Sequence, residues 1–139
     1  MNKYILHTLL IGLSVLFSCS KKEQIAPDLS KITLPVEFVT PFSVSKSTPN
    51  FKTDSIYFTA AFKNETFWVI TIKGNLSGAE RVFARSDKDG LEISKANSLW
   101  DGSAYSVAAF RAESATATLS FPYSKTAPIS IPLNIVGVK

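Results

Sequence analysis

Hydrophobic and polar side chains alternate along the chain from residue 31 onward. The first such run has apolar residues at every second position: Ile32, Leu34, Val36 and Phe38. A period of two is typical of a half-buried β-strand. Pro35 has no backbone N–H to donate to a neighbouring strand. The pattern therefore predicts a first strand over residues 31–39 that lies at the edge of a sheet.

Further runs of the same kind follow. The clearest pair predicts a hairpin around the polar residues 63–66, with these apolar positions on its two strands: Ile56, Phe58, Ala60, Phe62, Trp68, Ile70 and Ile72. Shorter strands are predicted at residues 81–85, 91–93, 105–111 and 116–121. A last strand at residues 129–135 alternates with Pro128 and Pro132, which indicates a second edge.

Seven or eight short strands, separated by turns rich in Gly, Pro, Asn and Asp, predict an all-β domain over residues 31–139. We expect an antiparallel β-sandwich of the immunoglobulin/fibronectin type III kind. A small closed barrel is the alternative, but prolines in both terminal strands argue against closure. The disulfide of antibody domains is excluded, because Cys19 is the only cysteine.

The N-terminus has a different character. Lys3 precedes an apolar run at residues 4–17, which ends in small residues and is followed at once by polar ones. A positive charge, a short apolar run and small residues are the marks of a secretory signal. The run is shorter than the ~20 apolar residues that a transmembrane helix needs. It also lacks the one-sided pattern of a core helix.

Leu16-Phe17-Ser18-Cys19 resembles the lipobox of bacterial lipoproteins, with Leu three residues before the cysteine and a small residue directly before it. The resemblance implies a signal peptide at residues 1–18 and a membrane anchor of diacylglycerol and a further acyl chain such as palmitate on Cys19. Ser20 in place of aspartate implies the outer membrane or the cell surface. Residues 19–30 are polar and lack periodicity, so we expect a flexible tether.

Composition excludes several kinds of catalytic site. His7 is the only histidine in 139 residues and lies in the predicted signal, so Ser-His-Asp, Cys-His and His-based zinc sites are absent from the rest. The formal net charge is +4, and the positive residues are scattered rather than clustered. No nucleic-acid partner and no cofactor are therefore expected, and the chain is not expected to be an enzyme.

A turn-rich stretch offers candidate ligand-binding residues: Asn97, Trp100, Asp101 and Tyr105. An aromatic ring on a loop can stack on a sugar face while the polar groups bond its hydroxyls. The alternative, which we favour, is that Trp100 folds back and caps one end of the sandwich, because large aromatic residues dominate small cores.

Three acidic residues near a turn form a candidate calcium site: Asp87, Asp89 and Glu92. Their oxygens are the ligands that calcium prefers. We favour a plain turn, because Asp89-Gly90 between two strands is an ordinary hairpin device. A hydrolase that uses a pair of carboxylates is the least favoured function, because a small sandwich offers little cleft.

These observations favour a non-catalytic binding or adhesion module on the bacterial envelope, with a polysaccharide among the expected ligands. The alternative is a structural or accessory lipoprotein whose partner is another envelope protein, bound by addition of a strand at a sheet edge.

Overall fold

The computed structural model describes residues 35–85 and 90–139. Its elements are, in chain order, β1 (Phe38–Val44), β2 (Phe58–Phe62), β3 (Val69–Gly74), β4 (Glu80–Ala84), β5 (Glu92–Ile93), α1 (Lys95–Ser98), β6 (Ser114–Ser120) and β7 (Ile129–Asn134). The predicted signal peptide, Cys19 and the tether lie outside the described residues.

The strands form two antiparallel sheets, one with the order β1-β2-β5 and one with the order β4-β3-β6-β7. Two separate sheets confirm the predicted β-sandwich over the described residues. The fourth strand lies in the sheet of β3, whereas in constant-type immunoglobulin domains it lies in the sheet of the first two strands.

The core lies between the two sheets and follows the predicted alternation. Its strand residues are all less than a tenth exposed: Phe42, Phe58, Ala60, Phe62, Ile70, Ile72, Ile93, Ala115, Ala117, Leu119 and Leu133. Trp68, just before β3, is fully buried, as its parity with Ile70 predicted. The prediction of which face of each strand is buried is therefore confirmed for these strands.

The predicted hairpin of β2 and β3 is wrong, because these strands belong to different sheets. Residues 63–68 cross from one sheet to the other. The true hairpins join β3 to β4 and β6 to β7, with registers that run from Val69↔Ala84 to Lys73↔Glu80 in the first. Alternation identifies the buried face of a strand but does not identify its hydrogen-bonded neighbour.

Both terminal strands lie at sheet edges, as predicted. The first strand of the structure, however, is Phe38–Val44, and residues 35–37 are not part of it, so its proline is Pro41 and not Pro35. Residues 31–34 of the predicted strand lie outside the described residues. Pro132 lies in β7. Each proline removes one backbone donor from its edge strand and so discourages pairing with another chain.

Two further predictions are corrected between β5 and β6. The expected strand at residues 105–111 is absent, because this segment runs beside the edge of β4 with irregular backbone. There Tyr105 N–H donates to the Glu80 carbonyl at 2.8 Å, and Glu80 N–H donates to the Ser106 hydroxyl at 3.0 Å. Residues 97–102 were expected to form a loop, but Asn97 and Ser98 are the last two residues of α1, a single helical turn.

The short helix α1 is joined to β2 by a buried hydroxyl. Ser98 Oγ accepts a hydrogen bond from Phe58 N–H at 3.0 Å and lies 2.9 Å from the Phe58 carbonyl. The Ser98 hydroxyl thus bonds to the backbone N–H and carbonyl of Phe58, which a neighbouring strand would otherwise pair. In residues 35–85 and 90–139, no helix is long and apolar enough to cross a membrane.

Candidate functional site

One end of the sandwich carries a cleft of about 610 Å³, which we call the end cleft. Its walls come from residues 35–37, residues 64–67, Arg85 and residues 123–124. These parts are the entry to β1, the crossover from β2 to β3, the residue after β4 and the connection from β6 to β7. The volume falls within the range of roughly 300–1,000 Å³ that small-molecule sites occupy.

Two aromatic side chains line the end cleft. The rings of Phe67 and Tyr123 meet edge to face, with centroids 5.1 Å apart and planes at 63°. Phe67 is 37% exposed and Tyr123 is 49% exposed. Phe67 turns outward because its neighbour Trp68 points into the core, since successive side chains of extended backbone alternate.

Arg85 and Glu65 supply the polar part of the end cleft. Arg85 Nη2 lies 3.4 Å from Glu65 Oε2. The Arg85 guanidinium packs on Gly90. A Cβ atom added at Gly90 would lie 2.6 Å from the guanidinium carbon, so only glycine leaves enough space for Arg85 here. Thr66 N–H donates to the Gly90 carbonyl at 2.7 Å. These contacts hold the crossover at residues 63–68 in place next to the aromatic pair.

The entry of the chain into the domain is held at the same end. Val36 N–H donates to Thr126 Oγ1 at 2.7 Å, and Lys63 N–H donates to the Glu37 carbonyl at 2.9 Å. The Lys63 ammonium lies 2.6 Å from Glu37 Oε2, and this hydrogen bond raises the pKa of Lys63. Residues 35–37 are thus a fixed wall of the end cleft.

Two carboxylates line the end cleft, and each lies beside a cation. Glu37 pairs with Lys63, and Glu65 pairs with Arg85. Both side chains are more than half exposed, Glu37 at 56% and Glu65 at 72%. Their carboxylate oxygens can therefore accept hydrogen bonds from a ligand as well as from the neighbouring cations.

Trp100, a candidate from the sequence, is fully buried. Its ring lies 4.5 Å from the ring of Phe51 and 4.9 Å from the ring of Phe110, and its indole N–H donates to the Ser103 carbonyl at 2.8 Å. A ring with no exposed face cannot stack on a sugar, so the role of Trp100 as a ligand platform is corrected. The favoured alternative, a tryptophan within the core, is what the structure shows.

The other residues of that candidate site are not brought together with a binding ring. Asn97 Oδ1 accepts from Ser94 N–H at 2.8 Å, which caps α1. Asp101 accepts from Ser103 N–H at 3.1 Å and pairs with Lys139 at 3.0 Å. Hydrogen bonds from Ser103 and Lys139 hold the pKa of Asp101 well below its usual value.

Tyr105 remains on the surface and is 69% exposed. A small cleft of about 270 Å³ is lined by Asp101, but Asn97, Trp100 and Tyr105 do not contribute to its walls. The four sequence candidates therefore do not form one site.

The calcium candidate is tested only in part. Asp87 and Asp89 lie outside the described residues. Glu92 is exposed in β5, where it pairs with Ala61 of β2. Across residues 35–85 and 90–139, no group of three or more His, Cys, Asp or Glu side chains is arranged to hold a metal ion.

The residues of the end cleft were missed because they converge only in the folded chain. Phe67 and Tyr123 are far apart in sequence and share no motif. One signal was present: Phe67 directly precedes Trp68, the first inward residue of the alternation Trp68, Ile70 and Ile72, and so has the outward parity. A large aromatic residue on the exposed phase of a strand is a reason to look for a binding surface.

Comparison of the chain with protein-family models, with curated proteins and with solved structures found no match.

Proposed function

We propose that this protein is a non-catalytic binding module, anchored by lipid to the bacterial envelope, and that the end cleft binds a carbohydrate. The observation that carries the proposal is the pair of partly exposed rings, Phe67 and Tyr123, inside a cleft that also holds charged side chains. Such a pair suits a ligand that has both apolar faces and polar edges.

A sugar ring has that chemistry. Its axial C–H groups form apolar faces that pack against aromatic rings, and its hydroxyl groups both donate and accept hydrogen bonds. Around the aromatic pair, Arg85 offers donors, Glu65 offers acceptors, and the side chain of Asn64 offers both. A few polar groups around an apolar floor is the usual design of a small-molecule site.

The proposed lipid anchor rests on the lipobox resemblance at Cys19. Residues 35–37 line the end cleft, so the chain enters the described part of the domain at the end where the ligand would bind. Fully extended, the expected tether at residues 19–30 spans roughly 40 Å at most. This reach fits a module that searches for glycans close to the outer membrane or on the cell surface.

The absence of catalysis is part of the proposal. His7 is the only histidine and Cys19 is the only cysteine. The two carboxylates of the end cleft are each paired with a cation. We therefore expect the ligand to be released unchanged.

A glycan array, followed by calorimetry on each positive glycan, tests the carbohydrate proposal. We expect saturable binding that Tyr123→Ala and Phe67→Ala each weaken by tenfold or more, which corresponds to about 1.4 kcal/mol. Tyr57→Ala is the matched control, because Tyr57 is a half-buried tyrosine outside the end cleft. Equal loss in Tyr57→Ala, or binding that both cleft variants retain, contradicts the proposal.

Metabolic labelling with palmitate tests the anchor. We expect label on the wild-type chain, none on Cys19→Ser, and accumulation of the uncut precursor when the lipoprotein signal peptidase is inhibited. Label that persists in Cys19→Ser would reject the anchor and leave the carbohydrate proposal standing on its own.

The second candidate is an accessory lipoprotein that binds an envelope protein at the edge of β4. This edge strand has no proline, unlike the edge strands β1 and β7. At the free edge of this strand, the backbone of Glu80 already exchanges hydrogen bonds with Tyr105 and Ser106. Crosslinking to one protein partner, lost in Val82→Pro and kept in Tyr123→Ala, would favour this candidate.

A further inference from the structure

Arg81 occupies an unusual position for a charged side chain. It lies on the edge strand β4 opposite Ile72, which is fully buried, so its side chain shares the inner face of the sheet. The guanidinium carbon lies 4.9 Å from the centroid of the Phe83 ring and 4.1 Å from the centroid of the Tyr105 ring. Two aromatic rings therefore fix the orientation of this guanidinium.

The hydrogen bonding of Arg81 is incomplete. Nη1 donates to Ser103 Oγ at 3.3 Å. Nε is buried without a partner, and it is the one buried side-chain nitrogen or oxygen of this kind within residues 35–85 and 90–139. The ion pairs found in the same residues do not include Arg81. A half-buried cation without a counter-charge and with an unused donor calls for an explanation.

We propose that Arg81 forms an oxyanion-binding site, separate from the end cleft, that takes a sulfate, phosphate or carboxylate group of a ligand. The planar guanidinium presents several N–H donors in a fixed geometry that matches such groups. Because the Phe83 and Tyr105 rings already hold the guanidinium in place, Arg81 loses little side-chain entropy when an anion binds. The Ser103 hydroxyl adds a polar group beside it.

Ser103 links Arg81 to the ion pair of Asp101 and Lys139, and the three charged groups together are positive. Asp101 is bound by Ser103 N–H and by Lys139, so its charge is already matched by a lysine. Arg81, Lys139 and Asp101 together carry one net positive charge. The site therefore attracts anions, although one carboxylate lies near Ser103.

A purely structural role explains the location of Arg81 but not its bonding. Inward-pointing charges on edge strands discourage pairing with other chains. That role requires only a charge and does not account for a guanidinium held between two rings with an unused donor. The site also does not depend on the end cleft. Arg85, which lines the cleft, is four residues further along the chain, about 13 Å in an extended strand.

Nuclear magnetic resonance of the purified protein tests the proposal, with sodium sulfate and sodium phosphate as the probes at constant ionic strength. We expect saturable shifts of the Arg81 Nε–Hε resonance and of the Ser103 and Tyr105 amides. Dextran sulfate, compared with neutral dextran, identifies the source of the anion. Tighter binding of dextran sulfate indicates an anionic polysaccharide, and equal affinity per sulfate indicates a free ion.

Two variants give the controls. Arg81→Lys keeps the positive charge but loses the planar set of N–H donors. We expect the affinity for sulfate to fall about tenfold, as the loss of one charge-assisted hydrogen bond implies. Arg111→Met removes an exposed arginine elsewhere and is expected to leave the affinity unchanged. Shifts that do not saturate in the wild type, or that are equal in Arg81→Lys, overturn the proposal. Saturation of the shifts is measured on the wild-type protein, so a variant that fails to fold does not affect this part of the test.

Discussion

Glu113 and Ser77 are joined through two groups of the same serine: the carboxylate accepts hydrogen bonds from the Ser77 backbone N–H, at 2.9 Å, and from the Ser77 hydroxyl. It also accepts from Leu76 N–H at 2.7 Å and from Arg111 N–H at 3.1 Å. Glu113 is only 4% exposed. A single buried carboxylate thus ties the turn between β3 and β4 to the approach to β6.

Glu113→Gln is expected to destabilise the fold by about 2 kcal/mol, because a neutral amide has one acceptor oxygen where several donors need partners. The free energy of unfolding in urea measures the effect. Glu92→Gln is the control, since Glu92 is exposed, and a surface change of this kind stays within about 0.5 kcal/mol. Equal stability of the two variants would show that the Glu113 hydrogen bonds contribute little.

The stability of the wild type is expected to fall in acid. Burial alone would raise the pKa of Glu113, but hydrogen bonds from Ser77, Leu76 and Arg111 lower it from 4.5 to about 2. Between these values the unfolded chain binds more protons than the folded one, so stability falls as the pH falls. The difference in unfolding free energy between the wild type and Glu113→Gln should shrink from pH 4.5 toward 2. A difference that does not change over this range contradicts the assignment.

Gly102 and Gly78 make a matched pair for backbone strain. Both have positive φ, 89° at Gly102 and 68° at Gly78. An added Cβ at Gly102 would lie 2.6 Å from the ring of Phe51, whereas at Gly78 it meets open space. We expect Gly78→Ala to cost about 1–2 kcal/mol from backbone strain alone. Gly102→Ala should lower the free energy of unfolding clearly more, because the added Cβ also meets Phe51. Thermal unfolding of both variants measures the difference. Equal losses of stability would mean that the Phe51 ring moves aside.

Trp100→Ala is expected to cost about 3–5 kcal/mol, because it leaves a large cavity between Phe51 and Phe110. Trp100→Phe fills part of that space and should cost less. Circular dichroism during thermal unfolding measures both. If Trp100 has no binding role, the folded Trp100→Phe variant keeps its affinity for any glycan that the end cleft binds. Loss of that affinity in a variant of near-normal stability would restore Trp100 as a site residue.

Much of the fold was predictable because burial leaves a regular trace in the sequence. The alternation at Phe58, Ala60 and Phe62 gave the buried face of β2 correctly. It did not give the partner of β2, because the same alternation fits pairing with β1, β3 or β5. Residues 105–111 look like a strand but bond to β4 only through Tyr105 and Ser106.

The candidate site was less predictable, because it depends on contacts between distant parts of the chain. Trp100 in a polar loop resembled a ligand platform, yet burial between Phe51 and Phe110 stabilises the core more than exposure would. Tyr123 follows a proline in an ordinary turn, and only the fold brings it next to Phe67. Motifs and periodicity do not record such tertiary neighbours.

The position of a bound sugar on the domain tests the proposed function most directly. Amide and aromatic resonances are followed while the best ligand from the glycan array is added to the wild-type protein. The largest saturable shifts are predicted at Phe67, Tyr123 and Arg85, with little change at Tyr57. Shifts centred on Tyr105 and Asp101, or no saturable shift at the end cleft, would contradict the proposal.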